Sequence, residues 1–145
     1  MPQLPDPDLL PEFYALVPLK RLMAWVVDGV LIFLLTGLVL VFTALLTVWI
    51  LPLLYVAVNV AYRTVTLARW SATPGMALMA VELRDARGAR LDPVLALLHT
   101  LVYMAASALV LPQIASVALM LITPRKQGLG DLLLGTAMLN RPSAG

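Results

Sequence analysis

Apolar residues run almost unbroken through two stretches, Gly29 to Tyr62 and Pro93 to Pro124, of 34 and 32 residues that contain no Asp, Glu, Lys or Arg. Each exceeds the ~20 residues that cross a bilayer as a helix. The first stretch, extended back to Leu22, predicts a span over about 22–46. It is followed by a turn in "TALLTVWILP", where Trp49 suits a membrane interface and Pro52 a first helical turn. A second span then runs from about Ile50 to Ala68, with Tyr55, Asn59, Tyr62 and Thr66 at helical spacing and Arg63 beside them. The second stretch would make ~48 Å of helix, too much for one span unless strongly tilted. Pro112 and Gln113 interrupt it, so it reads as a helical pair over 94–111 and 113–122 with a short second member. Whether the pair makes one crossing or two is left open. The expected architecture is an all-α, polytopic membrane protein with about four hydrophobic helical segments.

Outside these stretches the pattern changes twice. Residues 1–18 carry five prolines with Asp6, Asp8 and Glu12, and read as a Pro-rich tail, mobile or lying on a surface. Residues 69–92, "RWSATPGMALMAVELRDARGARLD", form a polar connector in which Thr73 before Pro74 marks a helix start. Within it "VELRDARGARLD" alternates about Gly88 like a small hairpin, and Asp92 before Pro93 caps the next helix. The membrane domain therefore spans 19–140, with 141–145 as a C-terminal tail.

Composition supports one membrane domain, since 61% of residues are hydrophobic and 12% charged against roughly 45–50% apolar in a soluble domain. The first apolar segment continues into a second instead of ending at a cleavage site, so it is expected to be retained rather than removed as a signal peptide. Cysteine is absent, which excludes disulfides and thiolate metal sites. A net charge of +2 is too small to indicate nucleic acid, and its distribution matters more. All ten basic residues fall in the N-terminal flank, the second span's end and connector, or the C-terminal flank, and the turn near Trp49 has none. By the bias of basic residues toward the inner face, both termini and the connector are expected in the cytoplasm, with an even number of crossings of a cell (inner) membrane.

Candidate chemistry begins with Asp28, because a carboxylate at the centre of a spanning helix costs roughly 2.5–3.5 kcal/mol. Arg21 lies on the same helical face but ~10.5 Å away along the axis, too far for a direct bond. If Arg69 ends the second span, Arg63 lies about 9 Å deep, level with Asp28. His99 falls near the same depth, so Asp28, Arg63, His99 and Asn59 are expected to form one intramembrane polar layer, with Asp28 against Arg63 and Asp131 at the boundary against Arg21. The layer has two readings: a buried pair that fixes helix rotation, or a proton or cation relay. The stripe of Tyr55, Asn59 and Tyr62 reads as interhelical hydrogen bonding in preference to a ligand pocket, and the scattered methionines read as packing. No metal-binding His-Glu motif, phosphate loop or nucleophile elbow occurs, so no catalytic residue, metal or cofactor is assigned and no enzyme is expected.

Three segments resemble one family. "RLMAWVVD" has the Arg-x-x-Ala-x-x-x-Asp spacing that opens the RDD family, "TPGMALMAVELRDARGARL" is similar to its central segment, and "RKQGLGDLLLGTAML" to its closing Asp-x-x-x-Gly-Thr. The resemblance covers about Lys20 to Leu139 and implies that Arg21, Asp28 and Asp131 are the eponymous triad, with Gly75, Gly135 and Thr136 in support. Met76 stands where the family usually has a lysine, and Gly130 where it often has a histidine. The family resemblance implies a membrane domain connected with transport, cation/proton antiport having been suggested for some members. The partners expected are the lipid bilayer and H+ or a monovalent cation, with a second copy or another membrane protein to complete a path. The alternative is a non-transporting scaffold or assembly factor whose buried charges hold the bundle together.

Overall fold

The computed structural model describes residues 3–141. Two long helices, α1 (Val17–Phe42) and α2 (Leu51–Trp70), are joined by a 3-10 segment at Leu46–Ile50 that exposes Trp49. A short helix α3 (Pro74–Leu78) and strand β1 (Val81–Arg84) follow, then α4 (Pro93–Ala108), α5 (Val110–Ile122), α6 (Leu129–Leu134) and strand β2 (Ala137–Asn140). Among the described residues, α1 and α2 are long and apolar enough to cross a membrane, and α4 with α5 form a pair bent by 116°. The first span starts earlier than the residue pattern implies: the helix begins at Val17, with Pro18 in its first turn, where a missing N–H is harmless. It ends at Phe42, ahead of the left-handed residues Ala44 and Leu45.

The break in the second apolar stretch lies at Leu109, not at Pro112 and Gln113. Pro112 explains the displacement. In a straight helix its ring would strike the carbonyl four residues back, on Ala108, and its absent N–H would leave that carbonyl unbonded. The helix therefore stops at Ala108, Leu109 turns extended (φ −120°, ψ 133°), and Pro112 falls in the first turn of α5. At 1.5 Å per residue α4 and α5 are about 24 and 20 Å long, each short of a ~30 Å hydrocarbon core.

The membrane helices are polar inside and apolar outside. On α1 the buried positions Ala24, Asp28, Ile32 and Thr36 recur every four residues, while Trp25, Phe33, Leu34 and Phe42 are exposed. On α2 the buried face is Asn59, Arg63, Thr66 and Leu67, and on α4 it is Ala96, His99 and Thr100. An apolar belt facing outward around polar contacts is what a bilayer solvent selects. The densely packed apolar cluster is instead at one end, where Val17, Leu67, Ala72, Met76, Val81, Leu83, Leu91 and Met138 meet.

That end also contains the sheet. The expected hairpin about Gly88 does not form: β1 pairs antiparallel with β2, Leu83 opposite Met138, instead of folding back on residues 89–92. The turn is real but too tight to start a ladder. The Asp85 carboxylate accepts from the N–H groups of both Arg87 and Ala89 at 2.9 Å, Gly88 takes φ +77°, and the chain then leaves toward α4 with Leu91 N–H on Ser71 Oγ. Val81 and Leu83 are fully buried, so β1 needs a partner with apolar side chains, which Ala137, Met138 and Leu139 supply. The fold is thus mostly helical with one added two-stranded sheet. The N-terminal segment lies over β2: Tyr14 is buried, its hydroxyl donates to Pro5 O at 2.8 Å, and Asn140 Nδ2 donates to the carbonyls of Glu12 and Ala15. Residues before α1, the connector and the C-terminal strand form a single layer at one end of the helices.

Candidate functional site

The structure builds two separate cages, one around Asp28 and one around Asp131. Asp28 is 2% exposed. Its Oδ1 accepts from Tyr62 Oη at 2.8 Å and from the Gly75 N–H at 2.9 Å, and its Oδ2 accepts from Thr73 Oγ1 at 2.5 Å. Thr73 is the cap of α3, and its hydroxyl also accepts from the Met76 N–H at 3.2 Å. Met76 returns the contact, its sulfur lying 3.5 Å from the Thr73 N–H. Gly75 is a requirement of the site. A Cβ there would fall 2.3 Å from Ala24 O and 2.7 Å from Asp28 Oδ1, so only glycine lets the backbone of α3 reach the carboxylate.

Asp131, 1% exposed, has a different set of partners. Arg21 Nη1 donates to its Oδ2 at 2.6 Å, and the Gly128 N–H reaches the same oxygen at 3.1 Å. His99 Nε2 and Thr136 Oγ1 each lie 2.9 Å from Oδ1. Burial pushes the Asp131 carboxyl up, but the Arg21 guanidinium and the His99 imidazole outweigh it and hold the group well below the usual carboxylate range. Gly135, at φ +69°, ends α6 in a left-handed turn that returns Thr136 to Asp131. Gln127 Nε2 then donates to Thr136 O at 2.6 Å.

The expected single layer therefore divides. Arg21 meets Asp131, as the depth argument requires. Asp28 does not pair with Arg63, whose guanidinium lies over the Tyr103 ring of α4, 3.9 Å from its centroid. Successive residues on a helix are 100° apart, so with Tyr62 directed at α1, Arg63 is directed at α4. His99 also leaves the proposed layer, because depth says nothing about which way a side chain faces around its helix. It joins Asp131 instead. Asn59, one turn from Arg63, is buried with its Oδ1 free of any hydrogen bond in the structure, as are Arg63 Nε, His99 Nδ1 and Thr100 Oγ1. Residue spacing alone did not identify Thr73 or Tyr62 as ligands of Asp28. The signal was the tripeptide Thr73-Pro74-Gly75, a capped helix start whose glycine has no side chain to keep a carboxylate away.

The RDD family model matches residues 17–135. The chain belongs to the RDD family. The match includes Arg21, Asp28 and Asp131, and with two apolar spanning helices it makes this an integral membrane protein. No curated protein and no solved structure matches the chain. In RDD terms the eponymous residues form one ion pair and one solitary carboxylate: Arg21 with Asp131, and Asp28 alone among neutral donors.

Proposed function

We propose that this RDD protein moves a proton or a monovalent cation across a cell (inner) membrane, using Asp28 as the site that binds it, and that it has no enzymatic activity. One observation supports the reading: Asp28 is a buried carboxylate on a spanning helix that accepts from two hydroxyls and one N–H, with no cation within ion-pair distance. A charge of that kind is neutralised by taking up H+ or a small cation. The Tyr62 and Thr73 hydroxyls can turn lone pairs as readily as protons toward a bound ion, and Ala24 O adds a further oxygen close to the carboxylate. Asp131 has no such need, since Arg21 already balances it.

Both termini and the connector belong in the cytoplasm on this reading. The described residues before α1, the connector and β2 share one layer, that layer carries most of the basic residues, and two spans plus a pair bent by 116° are compatible with a return to the side where the chain began. Four short helices enclose little volume, so a second copy or another membrane protein completes the path. The test is ion-driven pH change in sealed vesicles across Li+, Na+ and K+. The intact protein is expected to dissipate the gradient with at least one of them and Asp28→Asn to abolish that activity. Silence across the panel, with Asp28→Asn folding and functioning normally in cells, overturns the transport reading.

The second reading is a scaffold, favoured by the Asp131 cage. Arg21 and His99 reach Asp131 from α1 and α4 while Gly128 and Thr136 lie within five residues of it, so its contacts tie α1 and α4 to α6 and the segment before β2. A protein used only as a docking platform needs that rigidity and nothing at Asp28 beyond the same rigidity.

A further inference from the structure

A cleft of about 500 Å³ opens at the C-terminal end of α2, lined by Trp70, Ala77, Glu82, Arg84, Arg90 and Arg141. We infer that it binds the phosphate headgroup of an anionic phospholipid. The first argument is charge. Glu82 is buried and paired with Arg84, and its Oε2 lies 3.5 Å from Arg141 Nε. One carboxylate thus holds two guanidiniums beside Arg90, leaving two positive charges in excess at a cleft with no second acid in its lining. Arginine presents its N–H groups as a planar fork that matches a phosphate's oxygens, and three such groups around one cleft constitute a receptor for a phosphodiester.

The second argument is level. Trp70 is the last residue of a membrane-spanning helix and is 52% exposed. An indole at a span's end occupies the headgroup region, its ring among acyl chains and its N–H toward water. The cleft therefore opens at the depth where lipid phosphates are found. Leu78, next along the chain from Ala77, is 69% exposed and gives an acyl chain an apolar surface beside the site. Arg84 and Arg141 are also held before any lipid arrives, because β1 and β2 fix Arg84 opposite Ala137 and the Arg141 N–H is bonded to Ala80 O at 2.8 Å. Anionic leaflet lipids and juxtamembrane basic residues attract one another in any case, at about 1 kcal/mol per charge. Three arginines converging on one open cleft add selection by headgroup to that diffuse attraction.

The experiment is native mass spectrometry of the full protein released from nanodiscs of phosphatidylcholine mixed equally with phosphatidylglycerol. The intact protein is expected to retain phosphatidylglycerol over phosphatidylcholine by about tenfold. Arg90→Gln, which breaks no ion pair in the structure, is expected to remove most of that preference, and Arg84→Gln to remove it as well. Arg87→Gln removes the same charge from the nearby turn outside the cleft and is expected to leave the preference intact. Equal loss from Arg87→Gln and Arg90→Gln shows diffuse attraction only and overturns the site. Displacement of the lipid by millimolar inorganic phosphate would identify the ligand as a free anion and overturn the lipid assignment. Retention of both lipids alike overturns it too.

Discussion

At the scale of single residues, the two aspartates make opposite predictions. Removing Arg21 by Arg21→Gln leaves Asp131 buried without its guanidinium, which is expected to cost about 3–5 kcal/mol in thermal unfolding followed in detergent. Arg21→Gln combined with Asp131→Asn is expected to recover much of that, because no stranded charge remains. The pH dependence has a definite sign. The folded Asp131 carboxyl ionises well below its ordinary 3.8, so the unfolded chain binds the extra proton in acid. Its stabilisation is complete above about pH 4 and is lost as the pH falls below that toward the folded value. Asp131→Asn is accordingly expected to lower the melting temperature above about pH 5 and to flatten the acid limb, so that its curve approaches that of the intact protein as the pH falls below about 4. At Gly75 the expectation is steric. Gly75→Ala forces α3 off α1 and is expected to destabilise by about 1–3 kcal/mol, with Asp28→Asn unable to relieve it because the nearer clash is with Ala24 O.

At the scale of elements, hydropathy and proline placement identify α1, α2 and the divided pair, because those signals act within one helix. What they miss depends on partners far along the chain. "VELR" alternates as a strand should, yet nothing in its neighbourhood says that its partner begins at Ala137 and not at Ala89. The intramembrane layer fails for the same reason. Depth follows from counting residues, whereas the rotation of α2 that sends Tyr62 to Asp28 and Arg63 to Tyr103 is fixed by which helices lie on each side. Arg21 and Asp131 were legible because both fall at a boundary, where a single coordinate nearly suffices. The bent pair offers a direct check. Pro112→Ala restores an N–H and removes the ring, so spin labels at Leu97 and Val117 are expected to move apart as the pair straightens, measured by double electron–electron resonance.

For the whole molecule, the layer shared by tail, connector and β2 requires one side of the membrane for all three. The chain lacks cysteine, so single cysteines report cleanly. Cysteines at Arg87 and Lys126 are expected to react with an impermeant thiol reagent from the cytoplasmic side, and one at Trp49 only from the opposite side. A cysteine at Lys126 reached only from outside would make α4 and α5 a single crossing.

The pairing of β1 with β2 also orders events during synthesis. Asp28 can be enclosed once Gly75 has emerged, with both spans already made, so its cage can form before α6 and β2 are available. Asp131, Thr136 and β2 are made after the helices they hold, and until they arrive Arg21 and His99 lack the Asp131 carboxylate and β1 lacks its paired strand. A nascent chain paused or cut short before Asp131 therefore carries Arg21 without its carboxylate and β1 with an open strand edge. Those are features by which a membrane quality-control protease can tell an unfinished copy from a complete one.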